Sequence, residues 1–141
     1  MLKNVFGVGL GLFIGLVMLG FIEYAAQLIF PPPPGLDLND SAVTDELIKN
    51  LPVPKLLLFV AARSLGALAG GWVCCELAGS QRIKAALVVG LLIQLLSIWG
   101  LVEVSHPLWF VIVTQLVIIP SAYGGTRITL FIENWYRSKR S

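Results

Sequence analysis

Four long apolar stretches dominate the chain, and each is interrupted by only a few polar residues. They cover residues 5–30, 55–78, 83–104 and 108–132. A bilayer core about 30 Å thick is crossed by about 20 helical residues, so each stretch is long enough to span it. Because the apolar runs are continuous and do not alternate with a period of two, they favour helices over a β-barrel. The pattern predicts an all-α membrane protein in which a single transmembrane domain, residues 1–141, forms a four-helix bundle.

The linker between the first two stretches, residues 31–54, predicts a short helix outside the membrane. A run of four prolines ends the first helix, because proline lacks the backbone N–H and disrupts helical geometry. Asp40 or Ser41 is a suitable N-cap, and Pro52 ends the segment. The apolar side of this helix consists of Leu47, Ile48 and Leu51. An amphipathic helix of this kind lies on a membrane surface, either as a lid over the bundle or as a docking surface for a partner.

The composition excludes an ordinary soluble domain. Hydrophobic residues make up 57% of the chain and charged residues only 13%, whereas about 25% of the residues of soluble domains are charged. The net charge of +2 is too small, and the basic residues are too scattered, for a nucleic-acid-binding surface. The expected surroundings are a lipid bilayer, without nucleic acid. A cleaved signal peptide is a competing interpretation of the first stretch, but the run is long for a signal core and contains Glu23.

The basic residues predict the orientation in the membrane. Those of the N-terminus, the link between the second and third helices, and the C-terminal tail are Lys3, Arg82, Lys84, Arg137, Lys139 and Arg140. With four spans these three segments fall on one side, and the positive-inside rule makes that side the cytoplasm. The linker 31–54 carries four acidic residues and falls on the outer side. Both termini are therefore expected in the cytoplasm.

Small residues at four-residue spacing predict where the helices pack. In lipid they allow two helix backbones to approach closely and so mark contact faces. The small residues of the first two helices are Gly7, Gly11 and Gly15, and Ala62, Gly66 and Gly70, respectively. Gly9, Gly20, Glu23 and Gln27 cluster on the roughly opposite side of the first helix. This helix is therefore expected to need protein on both sides, either in the centre of the bundle or against a neighbouring subunit.

Four charged side chains inside the apolar stretches are predicted to form two ion pairs. Glu23 and Arg63 both lie about 10–12 Å below the outer boundary if their helices are antiparallel and rise 1.5 Å per residue. Glu76 and Arg127 both lie near the inner boundary. Because an isolated charge in a bilayer costs several kcal/mol, we expect each acid to pair with the base at its own depth.

Two interpretations of Glu23 and Arg63 stay open at this point. In the first, the ion pair determines which helix packs on which. In the second, both side chains line an aqueous path and bind an ion or a substrate, since ionisable residues inside membranes are often functional. Gln94 and Gln115 also match in depth and are expected to share a hydrogen bond.

The residues required for catalysis or metal binding are not assembled in the sequence. The one histidine, His106, and Glu103 one turn earlier are too few for a metal site. The adjacent Cys74 and Cys75 match no zinc or redox spacing. We find no nucleophile–base set, phosphate-binding loop or paired catalytic carboxylates, so neither enzymatic activity nor a cofactor is expected.

Three motifs resemble those of a group of bacterial proteins. They are PPPPGLDLND at 31–40, ALAGGWV at 67–73 and HPLWF at 106–110. In these motifs the chain resembles small, uncharacterised bacterial integral membrane proteins with four helices. The resemblance implies a multi-pass protein of the bacterial inner (plasma) membrane and brings no function with it.

The leading hypothesis is a non-catalytic membrane protein that acts through helix–helix association. It would be an accessory subunit of a membrane complex, or a small homo-oligomer. The alternative is a small transporter or channel that uses Glu23 and Arg63. A lipid or quinone bound between the helices is a third possibility that the sequence leaves open.

Overall fold

The computed structural model describes residues 2–35, 39–79, 81–102 and 106–140, and they form five helices. The helices are α1 (Leu2–Ile29), α2 (Ser41–Lys49), α3 (Val53–Leu77), α4 (Arg82–Val102) and α5 (Leu108–Arg140). All except α2 are long and apolar enough to cross a membrane. The predicted all-α fold, with four candidate spans and a short helix in the first linker, is therefore confirmed.

The ends of the helices differ in part from the predicted ones. Helix α1 ends at Ile29, one residue before the run of prolines begins, and the chain then turns at Gly35, where φ is +89°. Helix α5 continues to Arg140 and does not end near residue 132 as predicted. Its last eight residues contain no glycine or proline, and three basic residues in the last turn interact favourably with the negative end of the helix dipole. Residues 103 and 104 of the predicted third span lie outside the described residues.

The short helix α2 begins at the predicted cap. The Asp40 carboxylate accepts a hydrogen bond from the backbone N–H of Ala42 at 3.0 Å, which satisfies one of the free donors of the first turn. None of the residues of α2 is buried, and Leu47 and Ile48 on its apolar side are only half-buried. The apolar side of this helix is thus only partly covered by the rest of the protein.

Helix α3 occupies the centre of the bundle. Helices α1, α4 and α5 all contact it, and α1 is the least buried of the four long helices. The core between the helices consists of Ala67, Cys74, Ala78, Ala85, Ala86, Val89, Ile93, Ile118 and Ala122. A central position was one of two expectations for the first helix, and the structure gives that position to α3.

The backbones of α1 and α3 touch along the predicted stripe of small residues. A Cβ atom on Gly11 would lie 2.6 Å from the carbonyl oxygen of Gly70, and one on Gly15 would lie 2.8 Å from that of Gly66. Gly7 faces the backbone nitrogen of Ala78, at 3.1 Å from the position of its missing Cβ. A side chain at these positions would force the two helices apart.

A second close approach joins α3 to α5. A Cβ atom on Gly71 would overlap the carbonyl oxygen of Ala122, and one on Gly125 would overlap that of Leu68. Nearby, the hydroxyl groups of Ser64 and Ser121 share a hydrogen bond of 2.8 Å. Small and hydroxyl-bearing residues at a helix contact are typical of membrane bundles, where close packing replaces the hydrophobic effect.

At one end of the bundle lie the N-terminus, the link between α3 and α4, and the C-terminal end of α5. We call this the basic end. Its basic residues are Lys3, Arg82, Lys84, Arg137, Lys139 and Arg140. The backbone N–H of Gly79, after α3, donates a hydrogen bond of 2.9 Å to the side-chain oxygen of Asn4 in α1. Arg82 at the start of α4 forms an ion pair with Glu133 near the end of α5. These contacts bring the corresponding ends of all four long helices together.

Two neighbouring glycines of α5 provide a matched test of the α3–α5 contact. Gly125→Ala should lower the free energy of unfolding by about 1–3 kcal/mol, because the new Cβ overlaps the backbone of α3. Gly124→Ala should be neutral, or stabilising by up to about 1 kcal/mol, because a Cβ there meets no described atom within 4 Å and alanine favours helices. Thermal unfolding in mild detergent measures both, and equal stability of the two variants would contradict the close contact.

Candidate functional site

The structure brings Glu23 of α1 and Arg63 of α3 together, with Oε1 and Nη1 3.1 Å apart. The α1–α3 stripe explains this contact. Beyond Gly15 it continues in four-residue steps through Leu19, whose Cβ is 3.0 Å from the position of a Cβ on Gly66, and reaches Glu23. A four-residue step advances about 40° around a helix, so the stripe spirals and carries Glu23 onto the contact face. The sequence pattern placed Glu23 on the side of α1 opposite Gly7, Gly11 and Gly15. In the structure, Glu23 instead lies at the α1–α3 contact.

Arg63 also contacts the two remaining long helices. Its Nε donates a hydrogen bond of 3.0 Å to the hydroxyl oxygen of Ser97 in α4. Its guanidinium carbon lies 5.8 Å from the centre of the Phe110 ring in α5, a distance at which the ring attracts a cation. The same ring also stacks on His106 at 5.2 Å and meets Trp109 edge-on at 6.1 Å. We call the four residues Glu23, Arg63, Ser97 and Phe110 the four-helix junction, since each long helix contributes one of them.

The ion pair at the junction is partly open on one side. The Arg63 side chain is 13% exposed and the Glu23 side chain 29% exposed, so the carboxylate is the more accessible partner. Arg63 Nη1 is close to Glu23 without the alignment of a hydrogen bond, and the directed bond of the guanidinium is the one to Ser97. The attraction between the charges offsets part of the cost of removing them from water. The junction as a whole is thereby close to electrically neutral.

Further polar groups lie near the junction. Gln94 precedes Ser97 by almost one turn of α4, and Thr114 follows Phe110 by one turn of α5. In the described part of the chain, the Gln94 Oε1, the Thr114 hydroxyl and both polar atoms of Gln115 are buried without a hydrogen-bond partner. The predicted hydrogen bond between Gln94 and Gln115 therefore does not form. Buried polar atoms of this kind are normally satisfied by water or by a partner's polar group.

The predicted Glu76–Arg127 ion pair is wrong. Both side chains are exposed on outward faces of their helices, so their equal depth does not bring them together. Glu76 accepts a hydrogen bond of 3.4 Å from the indole N–H of Trp72. The Arg127 guanidinium lies 6.0 Å from the centre of the Tyr123 ring on its own helix. At the basic end the structure instead pairs Arg82 with Glu133. This ion pair was not predicted, because the last helix was expected to end at residue 132, before Glu133.

Lys55 was also missed as a structural residue. It is only 7% exposed, and its Nζ donates a hydrogen bond of 2.8 Å to the backbone carbonyl of Phe30. A lysine at this position interacts favourably with the free carbonyls at the C-terminal end of α1. The sequence contained a signal for this contact, because Lys55 lies at the start of the second apolar stretch, at the depth at which the first stretch ends.

No protein-family model matches the chain, and neither a curated protein nor a solved structure matches it. The resemblance to small bacterial membrane proteins therefore rests on the three motifs alone. The function has to be argued from the geometry of the bundle.

The ion pair at the junction predicts a double-mutant cycle. Arg63→Met should lower the free energy of unfolding by about 1–3 kcal/mol, because it leaves Glu23 without its partner. The loss should stay below the roughly 3–5 kcal/mol of a fully buried pair, since Glu23 remains 29% exposed. Adding Glu23→Gln to Arg63→Met should restore part of the loss. Thermal unfolding in detergent measures the cycle, and additive effects of the two substitutions would show that the pair is not coupled.

Proposed function

We propose that this protein is a non-catalytic integral membrane protein that acts through helix–helix association. It is an accessory subunit of a membrane complex or a small homo-oligomer, and α1 is the helix that contacts the partner. The observation that carries this proposal is the uncovered second side of α1.

Helix α1 packs on α3 through one side only. On its other side, Cβ atoms on Gly9 and Gly20 would meet no described atom within 4 Å, and Gln27 is exposed. Since α3 occupies the centre, a central position for α1 no longer accounts for these residues. Glycine on an outward face lets a second backbone approach, and a polar side chain gains a hydrogen-bond partner there. These features support a neighbouring subunit on this side of α1.

The partly uncovered helix α2 supports the same proposal. Its half-buried apolar side lies at the end of the bundle opposite the basic end, next to the C-terminal end of α1. A partner that packs along α1 would reach this helix as well. The partly uncovered side of α2 thus lies close to the C-terminal end of the helix proposed to contact the partner.

The proposed location is the bacterial inner (plasma) membrane, with both termini in the cytoplasm. Six of the ten lysine and arginine residues belong to the basic end, whereas α2 at the opposite end contains Asp45 and Glu46. By the positive-inside rule, the basic end faces the cytoplasm.

The interior of the bundle supports association over transport. Between the junction and the basic end, the core residues Cys74, Ala86, Val89, Ile93, Ile118 and Ala122 are apolar and at most 1% exposed. Glycine contacts close the helices around them. An ion at the junction would have to cross this apolar, closely packed layer. That crossing costs much free energy, because the dielectric constant there is low.

Substitutions at the outward glycines test the proposal. Gly9→Leu and Gly20→Leu should leave the thermal stability of the protomer unchanged, because both positions open away from the described bundle. They should reduce self-association, or retention of a specific partner, by at least about tenfold, since a bulky side chain separates the two backbones. Native mass spectrometry and co-purification from mildly solubilised native membranes measure both forms of association.

The control is Phe131→Leu, which changes the size of a side chain that is 72% exposed on α5, away from the proposed contact on α1, without removing a glycine. It should leave association close to that of the unchanged protein. A protein that is monomeric and without partner in native membranes, or association that is indifferent to both glycine substitutions, would contradict the proposal.

A small transporter or channel is the second candidate. The unpartnered polar atoms of Gln94 and Thr114 favour it, because these residues lie about one turn from Ser97 and Phe110 and give the junction a capacity to bind water. Measurement of ion or proton flux in proteoliposomes tests whether the protein transports. A flux above that of protein-free vesicles that Glu23→Gln reduces by about tenfold or more would support transport, and the same flux in both proteins would argue against this candidate.

A further inference from the structure

The basic end carries a groove between α1 and α4 with a volume of about 340 Å³. Its floor is apolar and consists of Val5, Val8, Ala85 and Val88. Its end toward the helix termini is polar and consists of Asn4, Gln81 and Lys84. From Asn4 to Val8, and from Lys84 to Val88, each helix rises about 6 Å, so the groove becomes apolar within roughly one turn. The polar and apolar parts thus follow each other along the direction in which the helices would cross a membrane.

The positive charge at this end of the groove is only partly compensated. Helix α4 has no acidic residue in its first turn, although the N-terminal end of a helix carries a positive partial charge. Arg82 is paired with Glu133, but Lys84 is exposed and no described residue forms a hydrogen bond or an ion pair with it. Two basic residues at a helix N-terminus repel the dipole, so an anion near Lys84 would be stabilising.

The amide groups beside Lys84 are suitable donors. The side-chain oxygen of Asn4 already accepts the N–H of Gly79 at 2.9 Å, so the group that Asn4 has left for a ligand is its amide NH₂, a donor. Gln81 is exposed and supplies a second amide. An ammonium group and two amides next to an apolar floor match an anionic headgroup joined to an alkyl chain.

We propose that the α1–α4 groove binds an anionic phospholipid, with its phosphate at Lys84 and the first part of an acyl chain along Val5, Val8 and Val88. Charge complementarity selects the anion, and the apolar floor selects a lipid over a free phosphate. This site goes beyond the association through α1, because it lies at the basic end and uses none of the outward glycines.

Native mass spectrometry of the full-length protein in mild detergent tests the site, with phosphatidylglycerol and phosphatidylcholine as probes. We expect phosphatidylglycerol to be retained in preference to phosphatidylcholine. Lys84→Gln should weaken phosphatidylglycerol binding about fivefold, which corresponds to about 1 kcal/mol for a lysine near an anionic lipid. Val88→Trp should weaken it by a similar factor, because this side chain is 44% exposed and the indole would fill the groove.

Two matched variants serve as controls. Lys139→Gln removes the same charge from the basic end, but Lys139 lies 3.9 Å from the centre of the Trp135 ring and outside the groove. Ile98→Trp enlarges a side chain of similar exposure, 42%, on the same helix but about 15 Å further from the basic end than Val88. Both should bind phosphatidylglycerol like the unchanged protein, and thermal unfolding verifies that all four variants fold.

Three outcomes would overturn the proposal. Equal retention of the two lipids would show that the site does not select an anionic headgroup. Equal effects of Lys84→Gln and Lys139→Gln would show only a general attraction of anionic lipid to the basic end. Displacement of phosphatidylglycerol by an equimolar amount of inorganic phosphate would show that the site binds an anion without a chain.

Discussion

The approach of the α3 backbone to α1 on one side and to α5 on the other is the contact on which the rest of the bundle depends. Lipid tails are as apolar as leucine, so helices in a membrane gain little by burying apolar side chains against each other. Association then rests on dispersion forces, which are strong only when backbones come close. The adjacent residues Gly70 and Gly71 provide this, because Gly70 faces α1 and Gly71 faces α5. With bulky side chains at these positions, α3 would lose both neighbours.

The same contact determines the position of the ion pair. Gly11 and Gly15 of α1 meet Gly70 and Gly66 of α3, and this register places Glu23 beside Arg63. A shift of one residue along α1 would rotate Glu23 by about 100° and leave both charges without a partner. The glycines therefore provide close packing, and the charges penalise every other register. Together they specify one arrangement of two otherwise featureless apolar helices.

The molecule is asymmetric in two directions. Along the bundle axis, a polar junction on one side of the dry core contrasts with a basic end on the other. Around the axis, α3 is enclosed while α1 presents an uncovered side with Gly9, Gly20 and Gln27. The interior of the bundle is closed, but its outermost helix retains small and polar residues that face outward, and this contrast supports the proposed contact with another membrane component. The groove at the basic end adds the proposed lipid site.

The sequence by itself determined how far along the membrane normal each residue lies. Run lengths indicated four spans, the four-residue spacing of small residues indicated the α1–α3 contact, and depth matching singled out Glu23 and Arg63. Depth follows from a constant rise per residue and needs no knowledge of neighbours. Only the tertiary structure decided the direction in which each side chain points, because that depends on which helices are adjacent and at what angle they cross. Glu76 and Arg127 match in depth but face outward. Arg82 of α4 and Glu133 of α5 form an ion pair, although the hydropathy pattern shows neither that these helices are in contact nor that α5 extends past residue 132.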